Sequence, residues 1–424
     1  MNNKQIEQEF NEYVLWCREA IKSLIENPRL KDTTILGTSP IKKELSARGL
    51  ITPDATDIEA ISAKRQELID VKVNHTARVV EDIIRVSNKI GLSVDFKRII
   101  EVVARLHDIG RFEYATWNDA YGEQYRDQSK RLMYEGTPYQ ELMTPLNVKN
   151  HSEAGFELLT KKGKIKALAE NKRFLKVISH AILHHQDSNL VGELNPSNNR
   201  IDESIIGRDV SSILTESDTF NEAETRIYSI LTQLIKDVDC IDILYQHLTG
   251  EFPVLRPVTR FNKALRSRDG KEVLEMMSLE EFANRWGFSV EEVLEFNGMT
   301  REQAESALQL DLPTRKIDPS LLVMPEDLKM RFLNLEQIDL QEINKRYDYN
   351  PIVGMWWRLL QFLGTLNFTA NLSVIKENEL LDKIFAQYPS EYHPNIKEAF
   401  DFAKRYLLEG RGNNIYAENP FKTR

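Results

Sequence analysis

Imidazole and carboxylate side chains gather in one part of this 424-residue sequence. Six of the eight histidines fall between residues 75 and 185, each on or beside an apolar helical stripe. They are His75, His107, His151, His180, His184 and His185. A single such histidine would be an ordinary hydrogen-bonded core residue, but several together need another partner, because unpaired polar groups are costly in a core. Asp108 and Asp239 supply the carboxylates that a metal ion would also require. The pattern indicates a metal site with nitrogen and oxygen ligands.

Apolar residues that recur at steps of three and four predict the helices that position these side chains. The predicted helical segments are 71–90, 96–107, a helix that begins at His151 after a capping Asn150, 174–185 and 228–248. Between them they carry all six histidines. No alternating strand pattern of convincing length accompanies them, so the predicted fold class is all-α.

The overall composition excludes several functional classes. With 29% charged and 41% hydrophobic residues, the chain is typical of a globular protein. A net charge of −9 argues against nucleic-acid binding, which depends on neutralising phosphates. The N-terminus resembles neither a signal nor a transit peptide. The best membrane candidate, residues 352–368, is short for a span and contains Arg358. The weakness of this candidate predicts no membrane partner, and the presence of only two cysteines favours a cytoplasmic location.

Three motifs carry a resemblance to a known family. They are VNHTARVV at 73–80, ARLHDIGRFE at 104–113 and KDVDCIDIL at 236–244. Together they resemble the HD superfamily of metal-dependent phosphohydrolases, whose fold is an all-α bundle. The resemblance implies four core metal ligands: His75, His107, Asp108 and Asp239. Asp237 and Asp242, the neighbours of Asp239, are alternatives for the last of them.

Two further segments extend the resemblance to binuclear members of the superfamily. NHSEAGFELL at 150–159 and AILHHQ at 181–186 are similar to segments of the HD-GYP group. They imply a second metal ion, held by His151, His184 and His185. No Gly-Tyr-Pro signature follows, so the cyclic-di-GMP specificity of that group is not implied. The nearest likeness is to bacterial HD proteins with an HDIGRFE motif, rather than to the HD-type deoxynucleotide triphosphohydrolases.

The resemblance implies phosphoester hydrolysis by a metal-activated water. Mixed imidazole and carboxylate ligands suit Mn, Fe, Co, Ni or Zn, and Asp108 could bridge two ions because a carboxylate has two oxygens. Asp108 and Arg111 are the predicted catalytic residues, and the planar fork of Arg111 suits a phosphate. A surface ion pair is the alternative role for Arg111. Arg78 and His180 are the other predicted substrate contacts. We expect a small phosphorylated substrate, with a nucleotide favoured.

The chain is predicted to contain four parts. A helical segment at 1–70 precedes an HD domain at 71–265, and C-terminal helices at 330–424 pack on that domain. Residues 270–325 form an acidic insert that is similar to a LysM module, a glycan-binding unit; a plain inserted helical subdomain is the alternative.

Two functions of other classes stay open at this point. Some HD proteins use similar ligands for di-iron oxygenase chemistry, and others would act as non-catalytic nucleotide sensors or partner-binding modules. A homo-oligomer is also compatible with the sequence.

Overall fold

The fold is helical throughout the described part of the chain. The computed structural model describes residues 2–31, 42, 45–46, 48–112, 151–185, 208–249, 278–280, 289–291, 294, 300–302, 305, 366, 368–387 and 393–407. These residues contain helices and no strand, so the predicted all-α class is confirmed. Asn150, the segment 352–368 and most of the insert at 270–325 lie outside the described residues, except for the few just given.

The chain divides into two units, residues 1–238 and 239–424. The helices of the first unit are α1 (Asn3–Ile25), α2 (Asp57–Ile90), α3 (Val94–Leu106), α4 (His151–Thr160), α5 (Lys166–Ala169) and α6 (Lys172–His184), with a 3-10 turn at Val210–Ser212. Helix α7 (Glu222–Thr249) begins in the first unit and ends in the second. The second unit contains α8 (Thr369–Glu377), α9 (Leu380–Gln387) and α10 (His393–Tyr406). None of the described helices has the length and apolar character that a bilayer crossing demands.

Helix α2 is long because both of its ends are strongly specified. At the start, the Thr56 hydroxyl accepts the Glu59 N–H while the Glu59 carboxylate accepts the Thr56 N–H, which is a capping box. At the end, Gly91 adopts a left-handed conformation with φ of 79° and returns its N–H to the Ser87 carbonyl. The predicted boundary between residues 70 and 71 lies inside this continuous helix, because its buried apolar face begins at Ile58.

Helix α3 lies at the centre of the first unit. It begins at Ser93, whose hydroxyl accepts the Phe96 N–H, and it packs against α1, α2 and α6. Its predicted stripe is buried as expected: Phe96, Ile99, Ile100, Val103, Leu106 and His107. Helix α6 packs in turn against α4. This packing brings the end of α3, the middle of α2, the start of α4 and the end of α6 to one place.

A buried ion pair fastens the start of α7 to α6. Glu224 is fully buried, and its Oε1 accepts from Lys176 Nζ at 2.9 Å and from the Thr215 backbone N–H at 2.6 Å. Burial alone raises the pKa of the Glu224 carboxyl, but hydrogen bonds from Asn221, Lys176 and Thr215 hold it below its usual value of 4.5. A carboxyl with a lowered pKa stabilises the fold above its unfolded pKa, and this contribution is lost as the pH falls through the folded value.

Replacing Glu224 by glutamine is therefore expected to cost about 3 kcal/mol of unfolding free energy at pH 7, because Lys176 keeps its charge without its ionised partner. The difference in unfolding free energy between wild type and variant should begin to narrow as the pH falls below 4.5, and it should be lost as the pH falls through the lower pKa of folded Glu224. Urea unfolding of both proteins at pH 7 and at a pH below 4.5 measures the two differences in unfolding free energy. Glu222→Gln is the matched control, because the exposed Glu222 pairs with Arg226 at the surface. Equal losses in the two variants would contradict the assignment.

Candidate metal centre

Four histidines and one aspartate lie close together where the ends of three helices meet the middle of α2. His75 lies within α2, His107 caps the end of α3, His151 is the first residue of α4, and His185 caps the end of α6. All four rings are buried, and so is Asp108, which follows His107 directly. Buried polar groups at this density require a common partner.

The short helical stretch after α3, residues 109–112, can approach α4 this closely only because residue 110 is glycine. A Cβ atom at Gly110 would lie 2.1 Å from the His151 carbonyl oxygen and 2.5 Å from the Gly155 nitrogen. The backbone on either side of the contact carries Asp108 and His151. The glycine therefore sets how closely the carboxylate and the first ring of α4 approach each other.

Asp108 is the centre of the cluster, and its two oxygens face different pairs of rings. Oδ2 lies 3.4 Å from His75 Nε2 and 3.9 Å from His107 Nε2. Oδ1 lies 3.2 Å from His151 Nε2 and 3.9 Å from His185 Nε2. The Nε2 atoms of His75 and His107 are 3.0 Å apart. Each oxygen thus belongs to a separate set of three potential ligand atoms.

Backbone hydrogen bonds fix the orientation of two of the rings. His107 Nδ1 donates to the Ala104 carbonyl over 2.7 Å, and His185 Nδ1 donates to the Ile182 carbonyl over 2.6 Å. In a neutral ring the proton is then on Nδ1, so Nε2 presents a lone pair toward Asp108. A carboxylate also presents lone pairs, and a metal ion is the partner that such a set of acceptors fits.

The two sets fit divalent transition metals by the chemistry of their donors. His75, His107 and Asp108 form the first set, and Asp108, His151 and His185 the second. Within each set the ligand atoms lie within 4.8 Å of one another. Imidazole nitrogen with carboxylate oxygen suits Mn, Fe, Co, Ni or Zn and does not select one of them. The two sets that could hold metal bring together five of the residues that the sequence predicts as ligands, and their binding of metal stays a prediction.

Two cations contact the same carboxylate from the two sides. Lys72 Nζ lies 3.0 Å from Oδ2 of Asp108, and Arg111 Nε lies 3.1 Å from Oδ1. Burial alone raises the pKa of the Asp108 carboxyl, but the charges of Lys72, Arg111 and His107, with a hydrogen bond from His151, hold it well below its usual value of 3.8. Asp108 is therefore ionised and ready to bind a cation at neutral pH.

His184 and His180 lie in a different environment on α6. His184 is outside both ligand sets, and its ring contacts Tyr228 with centroids 5.9 Å apart. His180 packs edge-on against Phe156 and Phe220 and donates from Nδ1 to the Lys176 carbonyl. Burial lowers the pKa of His180, and the nearby His184 and Lys176 lower it further against the raising effect of that hydrogen bond. The metal role predicted for His184 and the substrate role predicted for His180 stay predictions.

The other predicted site residues are placed as follows. Arg78 is half-buried on α2, one turn beyond His75. Asp239 is half-buried on α7 and is the first residue of the second unit, while the neighbouring Asp237 and Asp242 are buried. The ligand role of Asp239 and the substrate role of Arg78 stay predictions.

Lys72 is a neighbour of Asp108 that the sequence did not predict. It precedes His75 by one helical turn, so the two side chains share one face of α2. The spacing of three residues from the predicted ligand His75 is the feature of the sequence that could have indicated this contact. Many surface lysines show the same spacing, and only the position of Asp108 distinguishes this one.

Residues 73–244 match the family model described as the HD domain. No curated protein and no solved structure matches the chain. The matched span contains all four rings of the cluster, Asp108 and Asp239. The chain therefore carries an HD domain over residues 73–244, and the resemblance to the HD superfamily is confirmed.

Proposed function

We propose that this protein is a binuclear, metal-dependent phosphohydrolase that cleaves a phosphoester of a nucleotide or another small phosphorylated metabolite. The HD domain is typical of metal-dependent hydrolases. The observation that carries the finer proposal is the position of Asp108, with two imidazole Nε2 atoms beside each of its oxygens. A single shared carboxylate between two ligand sets is the arrangement that a two-metal hydrolase needs.

When bound, two divalent ions would lower the pKa of a water molecule and polarise a phosphoryl oxygen. The residues of the chain do the rest. Asp108 offers one oxygen to each ligand set, and the rings of His107 and His185 are held in orientation by the hydrogen bonds between Nδ1 and the backbone carbonyls of Ala104 and Ile182. In the hydrolysis, the P–O bond to the leaving group breaks, the hydroxyl of water joins phosphorus, and its proton passes to the leaving oxygen.

Arg111 supplies positive charge at the edge of the centre. Its side chain is about one quarter exposed, at 24%, while the Asp108 carboxylate that it contacts is 3% exposed. An arginine with one face toward a ligand carboxylate and another toward solvent can bind an anionic oxygen as the substrate enters. We assign it to the substrate phosphate. The cytoplasmic location and the oligomeric state expected above stay predictions.

The test is a phosphoester panel assayed with metal-loaded protein. Protein reconstituted separately with Mn, Fe, Co, Ni or Zn is offered p-nitrophenyl phosphate, bis-p-nitrophenyl phosphate, nucleoside mono-, di- and triphosphates, and cyclic nucleotides. We expect hydrolysis of a subset of these that stops on chelation. Oxygen consumption by the iron form, with every phosphoester left intact, would favour the oxygenase. Absence of any bound metal would favour the sensor.

The neighbouring residues His185 and His184 give this assay a matched pair of variants. His185→Ala removes a ring from the cluster, so we expect hydrolysis to fall by on the order of 100-fold or more. His184→Ala removes a ring that packs on Tyr228 and should leave the rate little changed. Initial rates at saturating metal measure both. Equal losses would restore His184 as a ligand, and two silent variants would refute the second metal set.

A further inference from the structure

Lys72 occupies a position that neither the ligand set nor the proposed chemistry explains. Its side chain is 17% exposed, and its ammonium group donates to Oδ2 of Asp108 over 3.0 Å. The same oxygen faces His75 Nε2 and His107 Nε2. The lysine therefore contacts the one oxygen that an ion in the first ligand set would need.

The geometry of α2 fixes this contact. Lys72 and His75 are one turn apart on the same face of α2, so the backbone of one helix carries both side chains to the same oxygen of Asp108. The Lys72 ammonium group can leave Asp108 by rotation of its flexible side chain, without any change in the helix. A lysine ammonium is a compact charge on a four-carbon stem, and such a rearrangement is within its reach.

Two positive charges on one carboxylate oxygen oppose each other. A divalent ion in the first set would be repelled by the ammonium group of Lys72. Even with the strong screening of bulk water, a unit charge a few ångströms away changes the binding constant of the ion by on the order of tenfold. Without the ion, the same ammonium compensates the buried carboxylate, which would otherwise be costly.

We propose that Lys72 is an internal counter-ion that stabilises the metal-free centre and competes with the metal ion for Oδ2 of Asp108. Lys72 is thus a positioning residue that sets metal affinity at the His75 and His107 side. Metal binding releases its ammonium group into a site that is to receive an anionic substrate. This inference rests on the proposed metal centre.

The experiment compares neutral and charged replacements of Lys72 by metal titration. Lys72→Met and Lys72→Gln remove the charge, and Lys72→Arg keeps it. Lys64→Met is the matched control, because Lys64 lies on the same helix and pairs with Glu67. Calorimetric titration of the metal-free proteins with Mn²⁺ or Zn²⁺ gives the affinities, and thermal unfolding without metal gives the stability.

We expect both neutral variants to bind the ion of the first set on the order of tenfold more tightly than wild type. They should also unfold at a lower temperature when metal-free, with the difference reduced once metal is bound. Lys72→Arg and Lys64→Met should keep wild-type affinity. Two neutral variants with unchanged or weakened affinity would overturn the inference while leaving the metal centre intact. Wild type that binds no metal at all would overturn both.

Discussion

Replacing Asp108 by alanine is expected to abolish hydrolysis, with a loss on the order of 10³-fold or more. Asp108 is the one residue common to both ligand sets, so its loss removes an oxygen ligand from each. The change also leaves the cations Lys72 and Arg111 facing four imidazole rings without the carboxylate that both contact. We therefore expect metal-free Asp108→Ala to be less stable by about 3 kcal/mol. Initial rates and urea unfolding measure the two effects.

Asp95→Ala separates loss of the centre from loss of stability. Asp95 lies in the first turn of α3 and accepts from both the backbone N–H and the hydroxyl of Ser211 at 2.7 Å. Its removal should destabilise the fold while leaving metal binding and hydrolysis in place. If Asp108→Ala retained hydrolysis comparable with Asp95→Ala, the shared carboxylate could not be the core of the centre.

Gly110→Ala is expected to be the most damaging small substitution in the described part of the HD domain. The added methyl group would lie 2.1 Å from the His151 carbonyl oxygen and 2.5 Å from the Gly155 nitrogen, and both are backbone atoms. Neither can yield without moving the start of α4, which carries His151. We expect a loss of about 3 kcal/mol or more in unfolding free energy, together with weakened metal binding.

Gly155→Ala is the matched control on the other side of this contact. Its methyl group would lie 3.2 Å from an Ile182 methyl and 3.4 Å from an Ile109 methyl, which are side-chain atoms that can adjust. We expect a cost of only about 1 kcal/mol and unchanged metal affinity. Urea unfolding and metal titration of both variants check the ordering. A Gly110→Ala protein as stable as Gly155→Ala would contradict the close approach of the Gly110 backbone to α4.

Much of the helical scaffold could be predicted from the sequence because apolar periodicity reports burial directly. The stripes that end on His107 and contain His75 are buried in α3 and α2 as their spacing predicts. His151 is helical, as the predicted helix over this segment requires. The apolar periodicity around His75 did not predict the start of α2. The helix begins well before that motif, where Thr56 and Glu59 form the capping box.

The sequence could not show which of two adjacent histidines lies beside Asp108, because adjacent residues on a helix differ in direction by about 100°. His184 and His185 follow each other at the end of α6, yet only His185 faces Asp108. Which of them does so depends on how α6 packs against α3 and α4, and no spacing within α6 contains that information. The contact between Lys72 and Asp108 could not be predicted for a related reason, because the two residues lie 36 positions apart in the sequence.

The metal content of the purified protein tests the central claim most directly. The chain is purified without chelators, loose ions are removed by gel filtration, and ions per chain are counted by elemental mass spectrometry in wild type and in Asp108→Ala. Because the two ligand sets share Asp108, we expect two transition-metal ions per wild-type chain and a near-complete loss of both ions in Asp108→Ala. A wild-type chain without metal, or an Asp108→Ala chain that keeps both ions, would contradict a centre built on this carboxylate.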